Sequence, residues 1–445
     1  MGVEHYSKIV ATGSAAGELI IPNSYFAGKP LYKENGSGRL EAKQKTELEI
    51  YEVTGINTRR WTEHSPQHLG AQALEKILNE AKREPELLIV AHNSRFSNGI
   101  YSPIPALSAV AQKKTGNPNT TAFDAFTDEY SVSLDEVAQI YAAGGCSRMY
   151  LAQADEFGVK EEKVYSNGDR NAHDVIIVEH SGWCSMAKRI KDRLGLAKTA
   201  TLDVIAGCPG FTVALDVADK MIKYGNYHSV AVVGMDKLSD IKDPDHLDST
   251  LFADAAAGYL LEASDEPGIV HSRFETYGKL GDALQLAESV QDRLKREQGG
   301  ADTSQTAYEF GQERKFLRMD GRRIFEFAVR QLPLFINKLL TGAKLTLSDI
   351  SIICFHQMNL RIMQATTKRL YGIQSDSELE QIMKKRVPVS LDRYGNSSVA
   401  TIGLTFDLCR RGELAGFEAE LGSGKYIMNV AIGAGLVEGG NVIKL

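Results

Sequence analysis

The sequence predicts a layered α/β protein. Short apolar runs at 87–91, 175–178, 230–234 and 351–355 read as buried strands. Segments at 66–81, 211–222 and 322–340 carry apolar residues at helical spacing. This strand–helix rhythm recurs in the C-terminal part of the chain, and alternation of this kind stacks helices on the faces of sheets.

The elements follow in order. Residues 8–13 form a first strand. Ser65 and Pro66 supply an N-cap and a proline in the first helical turn, opening a helix with Leu69, Ala73, Leu74, Ile77, Leu78 and Ala81 on its inner side. Two strand candidates come next, LLIVA at 87–91 and VIIV at 175–178. Between them lie helical stretches at 134–143 and 149–157 and a polar loop, SNGDRN, at 166–171. A helix at 184–196 leads to a strand at 201–206 and a helix at 211–222, apolar almost all round and therefore interior. Strands at 230–234 and 258–262 bracket an acidic-polar loop. Residues 279–316 read as largely helical and charged, and 322–340 as a long amphipathic helix. A strand then ends at His356, and the turn Gly395-Asn396 precedes a last apolar helix.

The chain has 445 residues, 43% hydrophobic and 24% charged, enough for a large core. Its net charge of −6 gives no basic excess for nucleic acid. Cys146, Cys184, Cys208, Cys354 and Cys409 are odd in number and lack CxxC spacing, which points to a reducing cytoplasm and to no zinc site. His173 and His180 flank a strand without ligand spacing, so no metal is expected. No apolar run reaches membrane-spanning length, and MGVEHYSK has neither a signal-peptide pattern nor the Ser or Thr that myristoylation requires.

Cys208, in TLDVIAGCPGFTVALDVADKMIKYG, sits where a strand gives way to an interior helix. The dipole and free N–H groups there favour a thiolate. Pro209 is expected at the first helical position. A nucleophilic cysteine needs a nitrogen donor or base and groups that polarise a carbonyl. His356 and Asn396, each in the same strand-end setting, supply them. A small core cysteine and a structural histidine are the ordinary roles of such residues taken singly; the three together are specific.

On these residues the chain resembles the β-ketoacyl-acyl-carrier-protein synthase III family of thiolase-superfamily condensing enzymes. The matching text is KIVATGS (8–14), VTGINTRRW (53–61), AGCPGFTVAL (206–215), VAVVGMDKLS (230–239), MDGRRIFEFAVR (319–330), HQMNLRIM (356–363) and LDRYGNSSVATIG (391–403). The resemblance implies a thiolase fold of two similar halves, 1–265 and 266–445, in a five-layer αβαβα arrangement, and a homodimer. The family has room for one strand after the first long helix. The run at 175–178 leads straight to the Cys208 strand and fits that order, making about 85–172 a large insertion in the N-terminal half.

The resemblance also implies the chemistry. An acyl group passes from acyl-CoA or an acyl carrier protein to Cys208. Malonyl carrier protein then loses carbon dioxide and its carbanion attacks the acyl enzyme, with His356 and Asn396 donating to the malonyl carbonyl. The backbone N–H groups of Cys208 and Ala434 form the oxyanion hole, and no cofactor is bound. Trp183 stands where the family closes the neighbour's acyl pocket, against an ordinary role in its own core. Phe211 is a second pocket candidate, though it and Phe325 also suit the core. Arg361, Lys368 and Arg369 follow His356 on one helix, the family's carrier-protein docking helix; a solvated basic face is the plainer alternative.

Some positions depart from the family. Glu49 and Val53 replace the Trp and Arg that sandwich adenine, Ala253-Asp254-Ala255 replaces Gly-Asp-Gly, and no Arg follows Asp243-Pro244. These changes weaken acetyl-CoA as donor and favour a carrier-bound or longer acyl donor. Alternatives left open are acyl transfer to an alcohol or amine, a head-to-head condensation using Glu179 as base, and a pocket-shaping subunit of a heterodimer.

Overall fold

The computed structural model describes residues 5–35, 38–93, 100–103, 121–124, 132–133, 146–155, 158–166, 173–180, 185–297 and 316–445. They fall into two compact units. One spans 1–62, 69–93 and 185–445; the other holds 63–68 and 94–184.

The first unit is built on two sheets. Strands β1 (Tyr6–Ala16), β2 (Leu87–Ala91), β3 (Ala200–Val204), β4 (Ser229–Lys237) and β5 (Asp254–Ser264) lie in the order β1-β5-β4-β2-β3. β2 is parallel to β3 and β4, while β5 runs antiparallel to β4 and β1. The second sheet has β6 (Ile269–Thr276), β7 (Ile350–Phe355), β8 (Tyr426–Gly433) and β9 (Val437–Lys444) in the order β6-β9-β8-β7. It keeps the two antiparallel pairs of the first sheet beside one parallel pair instead of two.

Helices fill three layers. Helix α1 (Glu47–Thr54) buries Ile50 in a small cluster with Phe26, Leu31 and Trp61, while outside the first sheet α2 (Pro66–Ala81) and α3 (Met186–Arg193) pack through Leu69, Leu74, Ile77 and Ile190. Between the sheets run α4 (Gly210–Lys223) and, later in the chain, α7 (Thr401–Arg410). Against the second sheet's outer face pack α5 (Gly321–Ala343) and α6 (Leu360–Tyr371). On α4, Phe211, Leu215 and Ile222 are buried among residues of both sheets, each contributing roughly 2 kcal/mol of apolar burial. This is the five-layer αβαβα fold.

The sheet strand after α2 is LLIVA, not VIIV. The chain turns at Lys82, whose φ of 59° is left-handed, and reaches β2 directly. All five residues of β2 are buried, as a parallel strand covered on both faces requires. Residues 175–178 belong instead to a strand, His173–His180, of a six-stranded sheet in the second unit, paired in parallel with Cys146–Asp155 and Thr121–Asp124. The excursion from the first unit therefore runs 94–184 rather than 85–172. The helix expected at 149–157 is part of the strand Cys146–Asp155, which is paired on both sides. The stretch 134–143 and most of SNGDRN lie outside the described residues. In the segment expected to be helical at 279–316, Leu284–Ala287 pairs with Phe316–Met319, and only Val290–Glu297 is a full helical segment among the described residues.

Candidate active site

Cys208 follows β3 through Gly207, whose φ of 66° makes the turn. Pro209 is the N-cap of α4, one position earlier than expected, and Gly210 closes the turn by donating to the Gly207 carbonyl at 2.9 Å. The loop Gly433–Gly435 packs directly over this point: a Cβ on Gly433 would lie 2.6 Å from the Cys208 nitrogen. The Ala434 N–H and the Cys208 N–H lie near the sulfur and favour its anion. Ser398 Oγ lies 3.3 Å from it.

The thiolate expected from the helix terminus is not what the surroundings favour. Burial pushes the Cys208 thiol up to about 11; the Ser398 hydrogen bond opposes this, the charge of Asp236 adds to it, and the two N–H groups lower it again. Desolvation of an anion outweighs one helix end.

His356 ends the run after β7, its N–H donating to Val430 O at 2.7 Å. Burial lowers its pKa to about 3, so the ring is neutral. Nδ1 lies 2.7 Å from Thr401 Oγ1, leaving Nε2 as the other ring nitrogen. Nε2 carries the proton when Thr401 donates to Nδ1. Asn396 is set by Gly395, where a Cβ would meet Arg59 Cβ at 2.7 Å and φ is 73°. Its backbone is fixed by bonds with Leu251 and Ala253. Its Oδ1 accepts the Ser398 N–H at 2.9 Å, so Nδ2 is the end left to donate.

Ser398 therefore joins all three residues. It touches Cys208 and Asn396 directly, and its carbonyl oxygen lies 3.0 Å from the hydroxyl of Thr401, the partner of His356. Its φ is 52°, rare for a residue with a side chain. Neither Ser398 nor Asp236, the buried carboxylate beside it, stood out in the sequence as more than part of GNSSVATIG and VGMDKLS. The signal was an uncharged hydroxyl two residues past Asn396 and an acid at the end of an apolar strand.

Other expected residues divide. Phe211 is fully buried and meets Tyr259 edge-on at 4.9 Å, so it is core and not pocket lining. Phe325, expected inside, is 37% exposed. Trp183 lies outside the described residues, and Glu179 lies in the second unit's strand His173–His180. On α6, Lys368 is paired with Asp376 at 2.6 Å and Arg369 donates to Val329 O, whereas the exposed Arg361 guanidinium has no partner among the described residues. Glu49 forms the capping box of α1 with Thr46 and pairs with Lys45. Arg318, from the strand Phe316–Met319, bonds Asp243 beside the loop where a family arginine is missing.

This fold, with a cysteine at the start of its central helix beside a neutral histidine and an asparagine, defines a thiolase-fold acyltransferase. Residues 202–278 match the family described as 3-Oxoacyl-[acyl-carrier-protein (ACP)] synthase III, and residues 340–445 match that family's C-terminal part. Beta-ketoacyl-[acyl-carrier-protein] synthase III 1 of Vibrio parahaemolyticus is 31% identical over 317 residues, 68% of this chain and 90% of the relative. The corresponding synthase of Methylococcus capsulatus is 30% identical over 312 residues, 67% and 88% of the two chains. The crystal structure of 3-oxoacyl-[acyl-carrier-protein] synthase III from Aquifex aeolicus superposes with a TM-score of 0.62 at 21% identity, covering 99% of this chain and 100% of the other. The priming β-ketosynthase of the R1128 polyketide pathway gives 0.65 at 21%, covering 100% and 98%. The chain belongs to the 3-oxoacyl-[acyl-carrier-protein] synthase III family of condensing enzymes.

Proposed function

We propose that Cys208 takes an acyl group from a thioester and condenses it with a malonyl unit carried on acyl carrier protein. The observation that carries this reading is the single hydrogen-bonded cluster in which Ser398 links Cys208 to Asn396 and, through Thr401, to His356.

Cys208 Sγ attacks the donor carbonyl, whose oxygen becomes the oxyanion held by the N–H groups of Cys208 and Ala434. Collapse expels the donor thiol and leaves the acyl enzyme. Malonyl thioester then binds with its carbonyl oxygen toward His356 Nε2–H and Asn396 Nδ2–H. Loss of carbon dioxide leaves its electron pair in the enolate these donors stabilise. The enolate carbon attacks the acyl carbon, and Cys208 departs. A neutral imidazole suits this step, since it donates without becoming an acid.

Glu49, held in its capping box, and the half-exposed Val53 provide no sandwich for adenine, which supports a carrier-bound donor or a differently held acyl-CoA. Arg361 supports docking of an acidic carrier protein at the start of α6. The outer edge of β3, with Leu202 36% and Ile205 68% exposed, supports pairing with a second copy of the chain. The free cysteines Cys208, Cys354 and Cys409 suit the cytoplasm.

Intact-protein mass after exposure to acyl-CoA and acyl-carrier thioesters tests the reading. The expected result is a gain of one acyl group, absent in Cys208→Ala, followed by carbon dioxide release with malonyl carrier protein. Acylation without carbon dioxide release would mean transfer to another acceptor; no acylation of a folded dimer would overturn the reading.

A further inference from the structure

In the proposed cycle the sulfur of Cys208 is an anion twice. It attacks the donor carbonyl as a thiolate, and it departs as one when the enolate carbon takes the acyl group. Burial and the charge of Asp236 both oppose that anion. The N–H groups of Cys208 and Ala434 are taken by the substrate oxygen once a donor is bound, so the sulfur needs a donor of its own. Ser398 supplies it: the hydroxyl donates to Cys208 Sγ at 3.3 Å.

Asn93 fixes the direction of this bond. Its backbone N–H donates to Asp236 Oδ1 at 2.7 Å and its Nδ2 to Asp236 Oδ2 at 2.9 Å. A carboxylate accepts, so the nitrogen of the Asn93 amide, not its oxygen, lies on this side. The second Nδ2 proton donates to Ser398 Oγ at 3.0 Å. An amide nitrogen does not accept, so the Ser398 proton is directed away from Asn93 and onto the sulfur. A hydroxyl that accepts one hydrogen bond also donates the next more strongly. The backbone supports the same placement. Ser398 stands at a φ of 52°, its N–H donates to Asn396 Oδ1 at 2.9 Å, and its carbonyl oxygen lies 3.0 Å from the Thr401 hydroxyl. A residue with a side chain keeps such a left-handed conformation where its surroundings impose it.

We propose that Ser398 is a catalytic hydrogen-bond donor to the Cys208 thiolate, acting on the sulfur in both half-reactions. The inference rests on the reading of Cys208 as nucleophile. The first ionisation of the thiol releases its proton to solvent. In acylation the thiolate's electron pair forms the Sγ–C bond, and the pair of the donor's C–S bond leaves on the donor sulfur. In condensation the enolate's electron pair forms the carbon–carbon bond, and the Sγ–C pair returns to Cys208 as the thiolate. Ser398 keeps its proton throughout. Its bond is stronger to a thiolate than to a thioester sulfur, so it favours the charge at the moments when the sulfur carries it.

The test uses Ser398→Gly, which keeps the left-handed turn, and Ser398→Ala, which keeps the Cβ. The first measurement is alkylation by iodoacetamide at about pH 8, read on the Cys208 peptide by mass; it needs no acyl donor. Loss of a hydrogen bond to an ion should cut the thiolate fraction about tenfold. The thiolate that remains is the better nucleophile for losing its donor, so the alkylation rate should fall about threefold. Both variants remove atoms beside the sulfur and widen access, so a fall cannot come from blocked entry. The second measurement is single-turnover acylation and, separately, condensation from the preformed acyl enzyme, each expected to fall about threefold. Alkylation unchanged or faster in either folded variant overturns the donor. Alkylation that falls while both half-reactions keep their rates overturns its catalytic role. If no thioester acylates the wild type, the proposed function fails while alkylation still decides whether Ser398 holds the thiolate.

Discussion

The imidazole of His356 is held by the hydroxyl of Thr401, Nδ1 to Oγ1 at 2.7 Å, and that same hydroxyl reaches Ser398 O at 3.0 Å. Thr401 has one proton for two acceptors. Which receives it decides whether Nε2 donates to substrate or accepts from it.

Thr401→Val removes the choice while keeping the shape. Nδ1 loses its partner, and the ring loses the bond that sets its tautomer. Decarboxylation of malonyl carrier protein should fall about a hundredfold, the usual cost of one lost oxyanion donor. Acylation of Cys208 should change far less. Thr401→Ser should restore decarboxylation. Equal loss of both half-reactions in Thr401→Val would mean that Thr401 only supports the fold.

Gly433 admits no side chain. A Cβ there would sit 2.6 Å from the Cys208 nitrogen and 2.8 Å from its Cβ. Gly433→Ala should therefore displace Cys208 from the Ala434 N–H and abolish acyl-enzyme formation, read by intact mass. The melting temperature should drop as well, by a few degrees, because backbone and not a flexible side chain must yield.

Glu438, buried on β9, bonds the Tyr277 hydroxyl at 3.1 Å, and Tyr277 also bonds Glu275. Burial, opposed by the Tyr277 bond and reinforced by the Glu275 charge, raises the Glu438 carboxyl to about 7. A raised acid is protonated in the fold while the unfolded chain releases its proton. Its contribution is thus fully present below pH 4.5 and lost as pH rises through about 7. Thermal melts of wild type should lose roughly 2 kcal/mol of stability between pH 4.5 and 8 relative to Glu438→Gln. Parallel curves for the two proteins would refute the assignment.

Among the described residues Arg361 is the cation of α6 whose side chain has no partner, for Lys368 holds Asp376 and Arg369 the Val329 carbonyl. Arg361→Glu should raise the KM for malonyl carrier protein about tenfold, equivalent to about 1.4 kcal/mol. Acylation by a small thioester should stay as it was. Lys368→Ala should do less, and added salt should narrow the gap between wild type and Arg361→Glu. An unchanged KM would make this face merely solvated.

Much of this was readable in the chain. The strand, turn and buried helix around Cys208 follow from composition and a single proline, and His356 and Asn396 follow from short local patterns. Other features depended on contacts that no local pattern carries. LLIVA and VIIV are equally apolar, and only pairing tells which one lies between β3 and β4. Met149 to Leu151 is too short a run to separate helix from strand by period. The ionisation of Cys208 was misjudged because burial and the charge of Asp236 come from distant segments. Ser398 was hidden for the same reason: its importance lies in a backbone angle and in what it meets.

β2 and β3 are neighbours in one sheet although residues 94–184, nearly all of the second unit, lie between them in sequence. The entropy of closing such a loop grows only with the logarithm of its length, about 0.6 kcal/mol per doubling, so the core is nearly indifferent to how much chain is spliced in. It is not indifferent to where the splice begins. Asn93, the last residue of the core before the excursion, holds Asp236 and Ser398 together. A graft, deletion or exchange of that unit can be generous in its interior, yet its first junction is set by the hydroxyl beside the cysteine.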